Sequence, residues 1–405
     1  MSAPRPLDGV RILALEQLQS LPVGTQMLSR LGAEVVRVEP PGTGEAGRGA
    51  LPTMKDRDGR PAGATFLRYA LGKRSIAIDF TSPRGRDLIL GLAPHFDVAC
   101  ENLGPGRADR FGIGYEQMSA VAPRLIYASI SGFGTGASPY ADWPAYAGVV
   151  EAMSGTYEYA RLPHEPPVIG PMCGMGDTVA GLNAVIGIFA ALRHRERTGA
   201  GQFIDIAMYD GVVHVCDLIP NYWSMGVRRE TDEPRRLPGL FKGFQAKDGW
   251  FIVTIVRRHQ FERFARTVGR SEWLVDPALE GSWDWEDRAE DVIRPAVEAW
   301  AARLSKTEAA AALAEAGVAA GPCHTAADVS NDPHVRARSM LVEVPRPDGG
   351  APVLVAGNPV KMSAVPEDDR TDTPLLGEHT DMILQGALGL RDDELATLRR
   401  DGVIW

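Results

Sequence analysis

Apolar positions along this chain alternate between short solid runs and helical spacings. Residues 10–16 (VRILALE) make an apolar run of strand length, residues 22–31 carry helical spacing and stop at Gly32, and residues 34–39 (EVVRVE) make a second run. Strand, helix and strand within about 30 residues predict a βαβ unit, and so a parallel sheet. The alternation continues with strands over 75–79, 97–101, 124–131 and 202–208, and a helix opens at Ser82-Pro83, where a cap precedes proline in the first turn. The fold class that follows is α/β.

The most apolar helix predicted runs over 179–192. Val179, Leu182, Val185, Ile186, Ile188, Phe189 and Leu192 cover most of its circumference, which predicts deep burial. It ends in Arg193-His194-Arg195-Glu196-Arg197 and stops at Gly199. A glycine-rich turn, Gly174-Met175-Gly176, delivers Asp177 to its start. The helix dipole there favours the ionised carboxylate, which can cap orphan N–H groups or attack an activated acyl group. Cys173 is the rival nucleophile, although nothing nearby activates it.

Residues 226–236 break the pattern with a charged, proline-containing stretch that reads as a linker. A smaller unit follows, with a strand over 250–256, helices near 260–268, 288–304 and 306–316, and a turn at Gly321-Pro322. The chain leaves it near residue 331. Strands over 341–344 and 353–356 and helices over 376–388 and 392–400 then return to other structure.

With 405 residues there is length for two or three domains, and a formal charge of −9 without a sustained basic face argues against nucleic-acid binding. No stretch approaches the roughly 20 uninterrupted apolar residues of a membrane span, and residues 1–7 lack a secretory apolar core, so a cytoplasmic location is expected. Cys100, Cys173, Cys216 and Cys323 lie far apart and share no metal-ligand spacing with histidine, so no metal is expected. Gly42, Gly44 and Gly47 match Gly-x-Gly-x-x-Gly, but they follow the second strand and precede polar residues 48–59, which removes the dinucleotide reading and leaves a flexible loop at a cleft. Residues 17–21 leave the first strand at its carboxyl end, where open α/β sheets bind ligands. Lys73, Arg74, Arg107 and Arg110 stand at strand ends, either as phosphate ligands or as solvated charge.

Several words in chain order resemble the class III coenzyme A transferases: Pro6-Leu7-Asp8-Gly9-Val10-Arg11-Ile12-Leu13, Leu31-Gly32-Ala33-Glu34-Val35-Val36-Arg37-Val38-Glu39-Pro40, Gly72-Lys73-Arg74-Ser75-Ile76, Glu101-Asn102-Leu103-Gly104-Pro105-Gly106, Pro123 to Gly134, Gly176-Asp177 and Leu375-Leu376-Gly377-Glu378-His379-Thr380. The resemblance implies Asp177 as the catalytic aspartate. It implies coenzyme A along Leu18, Gln19, Ser20, Gly72, Lys73, Asn102, Leu103 and Arg110. It also implies a Rossmann-like large domain built from both chain ends (1–225 and 331–405), a linker over 226–240, a smaller α/β domain over 241–330, and an interlocked homodimer. Acyl-CoA and a carboxylic acid are then substrates, exchanged through aspartyl anhydride and aspartyl-CoA intermediates, with no tightly bound cofactor.

Each tetrahedral intermediate of such a reaction needs oxyanion donors, and the N–H groups of Gly134 and Gly136 are the candidates. Related α-methylacyl-CoA racemases pair a histidine with the aspartate, whereas here Tyr146 stands at that place, which favours transfer over racemisation. Tyr146 is a candidate for the acyl pocket or for core packing. Ala147 replaces an acidic residue of formyl-CoA transferases, which argues against formyl or oxalate specificity. An acyl-CoA racemase and a non-catalytic CoA-thioester binder remain as alternatives.

Overall fold

A computed structural model describes residues 4–136, 138–158, 165–169, 174–216, 221, 223–226, 238–346, 349–365, 367 and 370–405. The chain divides into two compact units, Met1–Arg228 with Ala337–Trp405, and Arg229–Arg336.

In the first unit the elements run β1 (Arg11–Leu15), α1 (Ser20–Arg30), β2 (Glu34–Glu39), the small hairpin β3 (Thr53–Lys55) and β4 (Pro61–Gly63), α2 (Ala64–Ala70), β5 (Arg74–Ala77), α3 (Pro83–Leu92), β6 (Val98–Glu101), α4 (Arg107–Arg110), α5 (Tyr115–Val121), β7 (Ile126–Ser131), α6 (Ala147–Met153), α7 (Met175–Thr198), β8 (Phe203–Ala207) and α8 (Met208–Val215). Six strands form a parallel sheet in the order β5-β2-β1-β6-β7-β8, the doubly wound arrangement in which the chain reverses direction between β1 and β6. Along β1 the alternation of side chains feeds two cores. Ile12 and Ala14 pack with α1 and α7 on one face, and Leu13 and Leu15 pack with α3, α5 and the C-terminal helices on the other. Both faces being covered explains why the strands read as solid apolar runs.

The final segment closes the same unit. Asp79 N–H donates to the Val403 carbonyl at 2.8 Å, Trp405 N–H donates to Ala77 at 3.2 Å, and Ile404 bridges Ile78. The hairpin β12 (Leu341–Val344) and β13 (Val353–Ala356) lays Val344 and Val355 on Phe66 and Leu67 of α2. Both strands and the last helix, Asp392–Arg400, match the sequence pattern, while the helix expected over 376–388 is Thr380–Leu388.

The second unit holds an antiparallel sheet ordered β11-β10-β9, from β9 (Leu240–Ala246), β10 (Gly249–Ile255) and β11 (Ala319–Pro322). The aromatic core includes Phe261 stacked on Trp285 at 4.6 Å between centroids. The pattern missed β9 because only Leu240, Phe244 and Ala246 are buried along it, and it read β11 as a bare turn. The helix expected over 288–304 is broken into a π turn, Ala289–Ile293, and a helix, Arg294–Ala301.

Burial of α7 differs from expectation. Its buried residues are Gly176, Ala180, Gly181, Ala184, Val185, Ile188 and Ala191, while Ile186 is 67% exposed and Leu182 and Phe189 also face outward. The small residues set this orientation, because they admit α1 to backbone contact. A Cβ at Gly24 would stand 2.6 Å from the Gly181 carbonyl oxygen, and one at Gly181 would stand 2.2 Å from Val23 Cγ1 and 2.6 Å from the Ser20 oxygen. By length and mean hydropathy (1.6) α7 is also apolar enough to cross a membrane, yet its inner face packs on α1, α6, α8, β7 and β8. Cys173 and residues 217–220 and 222 of the helix expected over 210–223 lie outside the described residues.

Substituting Gly181 by alanine must separate α1 from α7, because the clash is with backbone. A loss of about 1–3 kcal/mol is expected in denaturant unfolding, whereas Gly386→Ala, at a helix position with open space around it, should hold or raise the midpoint.

Candidate active site

The site is built where the sheet order reverses. Gln17, just past β1, and Asn102, just past β6, tie their loops together: Gln17 N–H donates to Asn102 Oδ1 at 2.9 Å, and Asn102 Nδ2 donates to the Gln17 carbonyl at 2.9 Å and to Ser20 Oγ at 2.9 Å. This pairing leaves Leu18 in the left-handed region at φ 56°, a costly position for a branched side chain. Its N–H is held there by Glu45 Oε2 at 3.0 Å. Ser20 opens α1, and Leu103 N–H donates to the buried Glu101 carboxylate at 2.7 Å.

Beneath these loops lies a neutral cluster of three acids and three bases. Glu16 accepts from Lys73 Nζ at 2.7 Å and from Thr25 Oγ1, Glu39 accepts from Arg48 Nε at 2.6 Å and Ser75 Oγ at 2.7 Å, and Glu45 pairs with Arg37 Nη2 at 3.1 Å. Burial opposes the Glu39 charge, but Arg37, Arg48 and Ser75 outweigh it and bring the carboxyl down to about 2. Burial lowers Lys73 to about 8 against the pull of Glu16, so its ammonium stays charged at neutral pH.

The Lys73 ammonium, expected to contact CoA, donates to Glu16 Oε1 at 2.7 Å and to Thr25 Oγ1 at 2.7 Å. Gly72 is likewise occupied: its N–H donates to the Asp372 carbonyl at 3.0 Å and its own carbonyl accepts from Arg370 at 3.0 Å. The glycine loop is held rather than flexible, since Glu45 also caps the turn Ala46–Gly49 through Gly47 N–H at 2.6 Å. Gly44, Glu45 and Ala46 nevertheless line a cavity of about 190 Å³ together with Gln17, Leu103 and Arg107. Arg110 stands at the exposed end of α4, its guanidinium donating to the Pro105 carbonyl at 3.2 Å.

Asp177 is the third residue of α7, and the cap position is filled by Gly174 at φ 45° without any side-chain bond. The capping role is therefore not its own. The first-turn N–H of Gly176 is bound instead by Glu151 of α6, whose Oε1 accepts at 3.1 Å while Oε2 accepts from the Tyr157 hydroxyl at 2.6 Å. The dipole argument also loses. Burial first, and the Glu151 charge second, raise Asp177 from 3.8 to about 6. At pH 7 the group is still mostly ionised, but it is a stronger base than an ordinary aspartate. A Cβ at Gly174 would lie 2.8 Å from Asp177 Oδ2 and 3.3 Å from Gln19 Nε2, so the carboxylate and the Gln19 amide flank the same point.

Of the other expected pocket residues, Tyr146 adjoins Ala147, which packs against Gly174 and Gly176. Gly134 N–H donates to Ser131 Oγ at 2.9 Å. Gly134 and Gly136 line a second cavity of about 450 Å³, with Glu101, Ser129 and Ser131, whose lining does not include Asp177. Tyr146 precedes α6 and is 72% exposed, so it is no part of the core. Sequence reasoning missed Glu45, Glu151 and Tyr157. The signal for Glu151 was a lone acid one helical turn from Ala147, on a face shared with Val150. Among the described residues no group of histidine, cysteine and acidic side chains could hold a metal.

Comparison with known proteins gives a consistent picture. The family model described as CoA-transferase family III matches residues 7–380. The chain is 34% identical to the formyl-CoA:oxalate CoA-transferase of Streptomyces avermitilis over 99% of this chain and 100% of that one. It is also 34% identical to the succinyl-CoA–D-citramalate CoA-transferase of Chloroflexus aurantiacus, over 99% and 98%. The crystal structure of a CAIB/BAIF family protein from Brucella suis superimposes with a TM-score of 0.81, at 31% identity, over 95% of this chain and 100% of that one.

Two outcomes follow from the electrostatics. Lys73→Met strands Glu16 and should cost about 3–5 kcal/mol in urea unfolding; a phosphate-binding lysine would instead lose CoA affinity with stability unchanged. For Asp177 the unfolded carboxyl releases its proton near 3.8 and the folded one near 6. The folded state thus gains nothing from ionisation, and its stability falls as the pH rises between those values. Asp177→Asn should therefore stabilise the fold at about pH 8 by on the order of 3 kcal/mol, read as a higher thermal midpoint, and leave the midpoint unchanged below about pH 3.8.

Proposed function

The chain belongs to CoA-transferase family III, and we propose that it moves coenzyme A from an acyl-CoA thioester to a free carboxylic acid with Asp177 as the group that carries each acyl in turn. A carboxylate oxygen of Asp177 attacks the thioester carbonyl, and collapse of the tetrahedral adduct expels CoA thiolate and leaves an aspartyl–acyl anhydride. The thiolate then attacks the aspartyl carbonyl, releasing the donor acid and forming an aspartyl-CoA thioester. The acceptor carboxylate attacks that thioester and expels the thiolate, which takes the acceptor acyl group and restores Asp177. Every charge released is taken up by the next group, so no proton is consumed.

The observation that carries this reading is the placement of Asp177. It is half-buried at a helix start whose cap is supplied elsewhere, and its basicity is raised, as suits a nucleophile. Coenzyme A is assigned to the loops at the sheet reversal, with backbone from Leu18 to Ser20, with Asn102 and Leu103, and with Arg110 toward a phosphate. The racemase alternative gains no support, since Tyr146 stands exposed where a basic partner is required. The apolar outer face of α7, with Leu182, Ile186 and Phe189, suits cover by a second copy, in keeping with the interlocked homodimer proposed from sequence. The two relatives above act on different acids at equal identity, so the acids must be found by screening, with succinyl-CoA and acetyl-CoA as donors.

Asp177→Ala should abolish exchange of CoA between a thioester and a free acid while circular dichroism stays that of the parent. Persistent exchange in that variant contradicts the assignment. Solvent deuterium entering the α carbon of a 2-methylacyl-CoA, without acid exchange, would instead favour racemisation.

A further inference from the structure

Glu151 is a buried acid, 7% exposed, with no cationic partner among the described residues. Its two bonds are to neutral groups, the Tyr157 hydroxyl and the Gly176 N–H, and a glutamine could keep both without the cost of a buried charge, its oxygen accepting from Gly176 and its Nε2 donating to the Tyr157 oxygen. The charge itself therefore calls for a use. It lies against the one helix start that bears Asp177. Gly176 makes that contact close, since a Cβ there would stand 2.7 Å from Val150 Cγ2 and 3.3 Å from Ala147 Cα. Burial, together with the Glu151 charge and bond, pushes the Tyr157 hydroxyl up to about 12, so it remains a donor to Glu151 across the working range.

We propose that Glu151 is a positioning residue for Asp177, clamping the first turn of α7 through the Gly176 N–H and holding a second negative charge beside the reacting carboxylate. The reading of Asp177 as that reacting group is its premise. The clamp fixes the direction in which Asp177 leaves the helix, and the charge keeps the carboxylate basic when water around it is displaced by substrate. Among the described residues packed near the start of α7, the loop before α1 brings the neutral Gln19 amide and α8 brings Tyr209, Asp210 and His214, and Glu151 is the charge that acts on Asp177.

The test uses full-length protein and two variants. Glu151→Gln keeps an acceptor for Gly176 and removes the charge, so the acidic limb of kcat/KM should move down by about one pH unit. Glu151→Asp keeps the charge and shortens the reach, so kcat should fall at least tenfold with the KM for CoA thioester and the limb in place. A carbon-13 titration of labelled aspartates, with Asp177 assigned by its loss in Asp177→Asn, reads the same shift in unliganded protein. It holds whether or not acyl exchange is the reaction. An unmoved Asp177 titration in Glu151→Gln overturns the proposal, and should that variant not fold, an unchanged kcat in Glu151→Asp overturns it.

Discussion

Backbone contact between α1 and α7 at Gly24 and Gly181 is the constraint on which the site depends. Helices ordinarily keep about 8–10 Å between axes, set by the side chains at their crossing. Removing both Cβ atoms there draws the start of α1, and with it the loop from Gln17 to Ser20, against the start of α7. The Gln19 amide and Asp177 can then flank one point beside Gly174. Neither loop nor aspartate would be in register if either glycine were larger.

Charge is handled in two opposite ways on the two sides of that loop. Under Leu18, three acids and three bases neutralise one another, and the surplus hydrogen-bonding capacity of Glu45 holds a backbone N–H in a strained turn. Around Asp177 two carboxylates share a site without a described cation. The first arrangement gives rigidity, and the second gives basicity at some expense in stability. That contrast separates the surroundings of Lys73 from those of Asp177, although the sequence presents both as charged residues beside glycine.

Much of the sheet was legible because parallel strands buried on both faces carry solid apolar runs, as in residues 12–15. β9 was not, since its alternation is diluted by Lys242, Gly243 and Gln245. The Gly-Asp pair marked Asp177 through resemblance, but its ionisation could not be read locally: the dipole of α7 was visible, and the carboxylate from α6 was not. The absence of an acid at Ala147 pointed to a missing polar contact, yet Glu151 supplies one a turn further along the same face. The ion pair of Lys73 could not be read locally, because Glu16, 57 residues away, is brought to it only by the pairing of β1, β2 and β5.

The claim on which the rest turns is that Asp177 becomes covalently linked to acyl and then to coenzyme A. The most direct measurement is to mix the protein with an acyl-CoA, reduce with borohydride, digest, and sequence the peptide holding residues 174–181 by mass spectrometry. Conversion of Asp177 to homoserine, dependent on the thioester and absent without it, is the predicted result. An unmodified Asp177 in a preparation that is actively exchanging acids would contradict it.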